Sequence, residues 1–535
     1  MVEAQQYNKI LILSPPGKVY VHSDGAPAAR KHCSPPIGIA YLAGNLRRHN
    51  YEVGCLDILV EGYEIEDYRE PFIVYGLPIE EVIERVRAEN PDVIGFSVLF
   101  SMVAPESLEI SAAIKEEFPH IPIVFGGHHS TGAAEDVMTY DCVDYVITGE
   151  ADQRLVDLMD ALNGRRPIDS VHGLYFRKPD GALENTLKGV TALVEGNGWN
   201  YFDRKNSGVP IDLDGLPLPA WDIVGLEKYW DSFVRTGGGD AIGDRYAVMV
   251  TTRGCPHVCS FCTSPLVSGY KAYRKRSLEA VVAEVRWLVE EYGINEIQFV
   301  EENMFVSKKR LKELLACLAE EFDDITFWNT GGVDVNALDP EVIDLMVEAN
   351  FHRAILAIEA GDPEVQAARV DKNVQLDRLP ELVDYMLEKG IDLKALYMIG
   401  FPGETKKQIQ RTIDYAMNLG VLDFNLSIVQ PLPGTPLYDE CVENDLFIEG
   451  KPTVNFAISN VKLPDLTPEE LEDLRRNTWK QAFNKRMEME QQEKMRQELG
   501  HSGEIMHRYS TTDEYETLGF ETKPPAREDR RLAAE

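Results

Sequence analysis

The 535-residue chain is too long for one ordinary core and, at roughly 100–200 residues per domain, divides into two or three units. Hydrophobic residues at 44% and charged residues at 27% fit a folded chain, while 54 basic against 89 acidic residues give a net charge of −35 that opposes nucleic acid and anionic membrane surfaces. Apolar runs fall short of the ~18–20 residues that cross a bilayer, the N-terminus reads as an early strand rather than a signal peptide, and eight cysteines are too sparse for a disulfide scaffold, so a cytoplasmic protein with no integral membrane segment is expected.

From Lys9 the run KILILS predicts a strand, followed by a helix over IGIAYLAGNLRRHN, a strand over YEVGCLDI, a helix over IEEVIERVRAEN and a strand over DVIGFSVL. A helix near SLEISAAIKEEF, a strand IPIVFGG, a short helical AAEDVM and a strand YVITGE continue the alternation. Short apolar runs between amphipathic helices indicate an α/β doubly wound parallel sheet over residues 9–163, with helices on both faces. Ligands of such sheets bind outside the carboxyl ends of the strands, marked here by Ser14, Pro15, Ser97, Gly126, Gly127, His128, Gly149 and Glu150.

Residues 164–245 lack a helix period and are rich in turn formers, which suggests a linker with a small β element. Within it VHGLYFRKPDGALEN reads as a hairpin turning at Asp180-Gly181. A second alternation begins at YAVMVTT and runs through six strand–helix units over 246–455. Its strands are apolar almost throughout, and six units predict a partial, splayed (β/α)6 barrel whose active face lies at the strand C-termini. Residues 456–535 read as a charged helical region ending in a polar, mobile tail.

The densest chemistry lies directly after the first barrel strand, where Cys255, Cys259 and Cys262 form C-x3-C-x2-C on a Gly/Pro-bearing loop. The other five cysteines are scattered and read as buried small hydrophobes. Three thiolates at this spacing can each hold one iron of a cubane and leave the fourth iron open for reaction. A zinc site completed by His257 is the structural alternative, although no second Cys/His pair follows at finger spacing.

This motif, with Phe261 just before its last cysteine, resembles the signature of the radical S-adenosylmethionine (SAM) superfamily. Further segments support the resemblance: Glu301-Glu302-Asn303, Ile358-Glu359-Ala360-Gly361, the G-F-P-G-E-T loop at Gly400–Thr405 and the P-x-P-G-T-P loop at Pro431–Pro436. Ala360 stands where the family usually has Ser. The Gly/Pro loops and Ser277 of the Tyr273-Arg274-x-Arg276-Ser277 segment also have plain turn and helix-cap readings. The N-terminal strand ends, together with Pro35-Pro36-Ile37-Gly38, resemble the cobalamin (B12)-binding domain that precedes many radical SAM barrels.

The resemblance to the B12-binding-domain radical SAM superfamily, and to its cobalamin-dependent methyltransferases, implies three cofactors. Cys255, Cys259 and Cys262 would hold a [4Fe–4S] cluster; Phe261, Glu301, Glu302 and Glu359 would face SAM; the strand-end residues of the Rossmann-like domain would face cobalamin. It implies methylation of an unactivated carbon or a phosphinate phosphorus of a small biosynthetic intermediate, through methylcobalamin and a 5′-deoxyadenosyl radical. The alternative is a non-methylating relative, such as a ring-forming cyclase or an oxidative rearrangement enzyme, acting on a metabolite, lipid or tetrapyrrole. An electron donor such as flavodoxin or ferredoxin is the implied partner, beside the small-molecule substrate. The Asp-x-His-x-x-Gly segment that supplies a cobalt ligand in many B12 domains is missing after the first strand, where only His22 and His32 occur. The sequence identifies no catalytic acid or base.

Overall fold

The computed structural model describes residues 6–22, 25–187, 190–192, 200–202, 212–231, 242–269, 271–449 and 454–498. The mobile tail expected after the C-terminal helix lies outside the described residues, as do the turn segments GNGWN (196–200) up to Asn200 and TGGGD (236–240).

The first alternation folds into one seven-stranded sheet. Its strands are β1 (Lys9–Ser14), β2 (Glu52–Asp57), β3 (Val93–Ser97), β4 (Ile123–Gly126), β5 (Tyr145–Ile147), β6 (Leu174–Arg177) and β7 (Leu183–Asn185), in the order β7-β6-β5-β4-β3-β1-β2. Strands β1 to β5 pair in parallel, and the apolar runs of β1, β3, β4 and β5 are largely buried, as helix-covered strands require, while the edge strand β2 is buried only at Leu56 and Asp57. The order reverses at β1, between β3 and β2, which opens a crevice at the strand ends.

Two features depart from the expected parallel sheet over 9–163. The hairpin of β6 and β7 does not stand apart in a linker; β6 pairs antiparallel with β5 and extends the sheet to Asn185. Its turn is the expected one: Gly181 has φ +84° and Asp180 accepts from the Ala182 N–H at 3.0 Å. Further along the same stretch, Trp221 and Tyr229 are buried, and the Ala220 N–H donates 2.9 Å to the Ala40 carbonyl on the helix Ile37–Arg48. This segment is therefore packed onto the first sheet's helical layer. The other departure is a small antiparallel sheet of Gly17–Tyr20, Phe72–Tyr75 and Glu66–Arg69. Its four-residue strands are too short to give a periodic signal.

The second alternation forms six strands, β8 (Tyr246–Met249), β9 (Glu296–Phe299), β10 (Thr326–Val333), β11 (Phe351–Glu359), β12 (Asp392–Ile399) and β13 (Phe424–Ile428). They pair in parallel in strictly sequential order and do not close, which makes the partial barrel. The helix Pro468–Glu498 covers the last strand: Arg475 Nε donates to the Leu426 carbonyl at 2.7 Å and Trp479 Nε1 to that of Phe424 at 3.0 Å. Among the described residues no helix is long and apolar enough to cross a membrane.

Loop ends of the barrel are fixed by buried caps. Glu404 accepts from the Gly400 and Phe401 N–H groups, 2.7 and 3.0 Å away, with one oxygen, while its other oxygen is buried without a partner. Burial raises its pKa to about 7 against those two donors. Because the folded pKa lies above the unfolded one, the folded state binds more protons between pH 4.5 and 7. Stability from this group is therefore complete at low pH and lost as pH rises through 7. Glu404→Gln should stabilise the fold at pH 8 by up to about 3 kcal/mol and change it little at pH 5. Denaturant unfolding at both values checks this, and equal effects at both would show that ionisation there costs nothing.

Candidate active site between the two sheets

The cluster loop leaves β8 through a two-stranded ribbon, Thr252–Arg253 with Arg274–Lys275, and ends in the short helix Ser264–Ser268. Cys259 is buried, and Cys255 and Cys262 are half-buried. Burial pushes the Cys255 thiol up to about 11 and that of Cys259 to about 12, and raises Cys262 as well. Bare thiolates are thus disfavoured here, and iron must displace the protons as it binds.

The surroundings fit thiolates that carry iron. The Asp371 N–H points at Cys259 Sγ from 3.4 Å, and Asn303 Nδ2 lies 3.9 Å from Cys255 Sγ. Donors to ligand sulfurs are a recurring means of tuning iron–sulfur sites. Lys372 is a further neighbour that sequence patterns did not reveal. Its ammonium pairs with Glu359 at 2.7 Å and lowers the proton affinity of all three thiols. Burial works against its charge, yet Glu359, Cys259 and Asp334 hold its pKa above the ordinary lysine value.

His257, the alternative fourth ligand, has both ring nitrogens engaged: Nε2 lies 2.9 Å from Asp334 Oδ2 and Nδ1 lies 2.9 Å from the Asp371 carbonyl. It fastens the cluster loop to the segments after β10 and β11. Among the described residues no three His, Cys, Asp or Glu side chains gather closely enough for one metal ion. A tetrahedral zinc site requires that gathering, whereas a cubane spreads its thiolates over separate irons.

The residues expected at SAM divide into groups. Glu301 is buried and accepts from the Thr251 N–H (3.1 Å) and hydroxyl (2.6 Å), with burial raising its pKa to about 7. It therefore braces the strand end. Glu302 is half-buried and accepts from the Gly254 N–H at 3.1 Å and the Ser268 hydroxyl at 3.0 Å, beside the cluster loop. Glu359 is paired with Lys372 and holds a left-handed φ of +71°, a strained conformation at a strand end. Phe261 packs on Phe401 with ring centroids 5.8 Å apart, next to Ala360, Val429 and Leu437. It ties the cluster loop to the ends of the fourth, fifth and sixth barrel strands.

On the opposite side, an apolar pocket at the ends of β3 and β4 is lined by Gly95, Ser97, Gly126, Gly127, Ala151 and Leu155 among others. Ser130, one turn on, buries a hydroxyl with no partner. An apolar slot with Gly95, Gly126 and Gly127 in its wall suits the insertion of a flat heterocyclic group such as the nucleotide tail of cobalamin. Ser14 and Pro15 lead into the small antiparallel sheet. His22 packs edge-on against Tyr20, and His32 is tied through its backbone to the Tyr75 hydroxyl.

Three of the strand-end residues face the barrel. His128 Nδ1 lies 3.1 Å from Thr263 Oγ1, with burial lowering its pKa against the pull of Glu302 and Glu150. The Glu150 carboxylate is bound by Arg253 and Arg274, and Gly149 lies against the Val267 carbonyl. Backbones also cross here: a Cβ on Gly132 would stand 2.2 Å from the Pro433 carbonyl oxygen of the P-x-P-G-T-P loop. The two strand-end faces therefore meet.

Residues 26–159 match the B12 binding domain family, and residues 249–416 match the Radical SAM superfamily. The chain is similar to the cytidylyl-2-hydroxyethylphosphonate methyltransferase of Streptomyces wedmorensis, 28% identical over 82% of this chain and 83% of the relative. It is also similar to the anaerobic magnesium-protoporphyrin IX monomethyl ester cyclase of Cereibacter sphaeroides, 25% identical over 87% of this chain and 69% of that one. Its fold is shared with the radical SAM methyltransferase TsrM of Kitasatospora setae, solved with cobalamin and a [4Fe–4S] cluster bound. That likeness has a TM-score of 0.62 at 19% identity and covers 84% of this chain and 76% of the other.

Proposed function

Because the chain belongs to the cobalamin-binding-domain radical SAM enzymes, we propose that it transfers a methyl group from SAM to a carbon or phosphinate phosphorus of a small biosynthetic intermediate. The observation that carries this reading is the facing of two strand-end surfaces, one with three thiols and the other with the glycine-walled slot. Bound cobalamin supplies methyl-carrying chemistry, and a bound cluster with SAM supplies one-electron chemistry.

The chain's own residues hold and shield these groups. Glu302 offers a carboxylate beside the cluster loop for the SAM ammonium, a charge-assisted contact. Lys372 offsets negative charge at the thiolates, and the Phe261–Phe401 pair keeps water from the strand ends. Further parts of the proposal are a cytoplasmic location and an electron donor of the flavodoxin or ferredoxin type. The donor answers the need for a strong one-electron reductant.

The relatives select the first probes. Reduced holoenzyme with methyl-labelled SAM and cytidylyl-2-hydroxyethylphosphonate should place label in the product if that substrate class is right. Unlabelled, oxidised product from magnesium-protoporphyrin monomethyl ester would favour the cyclase reading that the second relative represents.

A further inference from the structure

Arg253 stands two residues before Cys255, and its guanidinium reaches out of the barrel to the first sheet. It donates to Glu150 at 3.1 Å and to both oxygens of Asp152 at 2.8 and 3.2 Å, and lies 4.9 Å over the Tyr41 ring. Arg274, opposite Arg253 in the ribbon, brings a second guanidinium to Glu150. At the other end of the cluster loop, Thr263 follows Cys262 and contacts His128. The cluster loop is thus gripped at both ends by residues that close strands of the cobalamin-binding sheet.

Glu150, Asp152 and Arg274 are buried at 9%, 5% and 8% exposure. Burying such charges costs several kcal/mol each unless partners of opposite sign meet them in good geometry. Here the guanidiniums of Arg253 and Arg274 meet the carboxylates of Glu150 and Asp152, the buried Arg154 adds a third cation within electrostatic reach of both carboxylates, and Arg253 and Asp152 meet as a two-pronged fork, an arrangement with narrow geometric tolerance. Exposed pairs would contribute little and tolerate drift. Glu150, expected at cobalamin, has its carboxylate occupied by this clamp.

We propose that Glu150, Asp152, Arg253 and Arg274 are positioning residues that fix the separation between the cobalamin site and the cluster. This rests on the reading that both cofactors bind. Misplacement by about 1 Å can cost a reaction on the order of a hundredfold, so a rigid spacer of this kind controls rate without touching either reacting group.

The test uses full-length protein loaded with both cofactors and poised with Co(II) and a reduced cluster. Pulsed electron paramagnetic resonance then reads the spin–spin interaction between them, with iron and cobalt content measured on the same samples. The wild type should give one narrow interaction. Glu150→Gln and Arg253→Gln should retain metal yet broaden or shift that interaction, with methyl-label transfer falling at least about tenfold. The pair Glu150→Gln and Arg274→Gln together should be no worse than the worse single change, as one shared network requires. Asp152→Asn serves if either variant fails to fold. An unchanged interaction in metal-replete variants overturns the proposal, and loss of cobalt alone from Glu150→Gln also overturns it by making Glu150 a cofactor contact. A wild type without any cobalt signal instead overturns the two-cofactor reading itself.

Discussion

Replacing Cys255, Cys259 or Cys262 by Ala, one at a time, is expected to reduce 5′-deoxyadenosine formation from SAM to the buffer level while cobalamin binding persists. Each thiol is the sole protein ligand available to one iron, so two remaining thiols cannot share the load of the third. The surroundings deepen the loss. Burial raises all three thiol pKa values, so a partly liganded site returns to protonated thiols rather than to a smaller cluster. The glycine-walled slot belongs to the other sheet and touches none of the three cysteines. Ala at the scattered Cys317, half-buried on the helix Lys308–Glu321, should leave the cluster intact. Iron content, a low-temperature paramagnetic signal and nucleoside analysis check this. Continued nucleoside formation in any of the three variants would remove the cluster from the reaction.

The sequence made the two alternations and the thiol motif legible because each is local. A strand and its following helix repeat within about 30 residues, and C-x3-C-x2-C lies within eight. The clamp was not legible in the same way. Glu150 and Arg274 are 124 residues apart, and nothing in the sequence near either one marks the other as its partner. Glu150 at a strand end consequently read as a cofactor contact, while Ser277, in the same segment as Arg274, carried a helix-cap reading. Ser277 proves to cap the helix Leu278–Tyr292, accepting from the Ala280 N–H at 3.1 Å. Lys372 escaped for a related reason: it lies in an irregular loop after Pro363–Arg369, where no periodicity singles out a lysine. The small antiparallel sheet near Gly17 was missed because its strands are short and its partner segments lie about 50 residues away.

Gly127→Val is expected to remove most of the bound cobalamin and to destabilise the first sheet by on the order of 3 kcal/mol or more. Gly127 has φ +103° and ψ −178°, a region essentially closed to residues with a side chain. Any Cβ there would also stand 2.5 Å from the Val98 carbonyl oxygen and 2.7 Å from its carbon, with no flexible atom able to yield. The Val98 backbone is held by its N–H bond to the Gly126 carbonyl (2.8 Å) and by the His129 N–H (3.2 Å). Relief of the clash must therefore move the β3 end, the start of the His128–Gly132 helix, or both, and with them the His128–Thr263 contact. Gly126→Ala separates the slot from the strain. Its Cβ would meet only the Ile147 carbonyl oxygen, at 3.8 Å, so the fold should survive while the slot narrows. The expected pattern is a lowered melting temperature and lost cobalamin for Gly127→Val, and a near-normal melting temperature with weakened cobalamin binding for Gly126→Ala. Full cobalamin binding in both would place the cofactor elsewhere on the sheet.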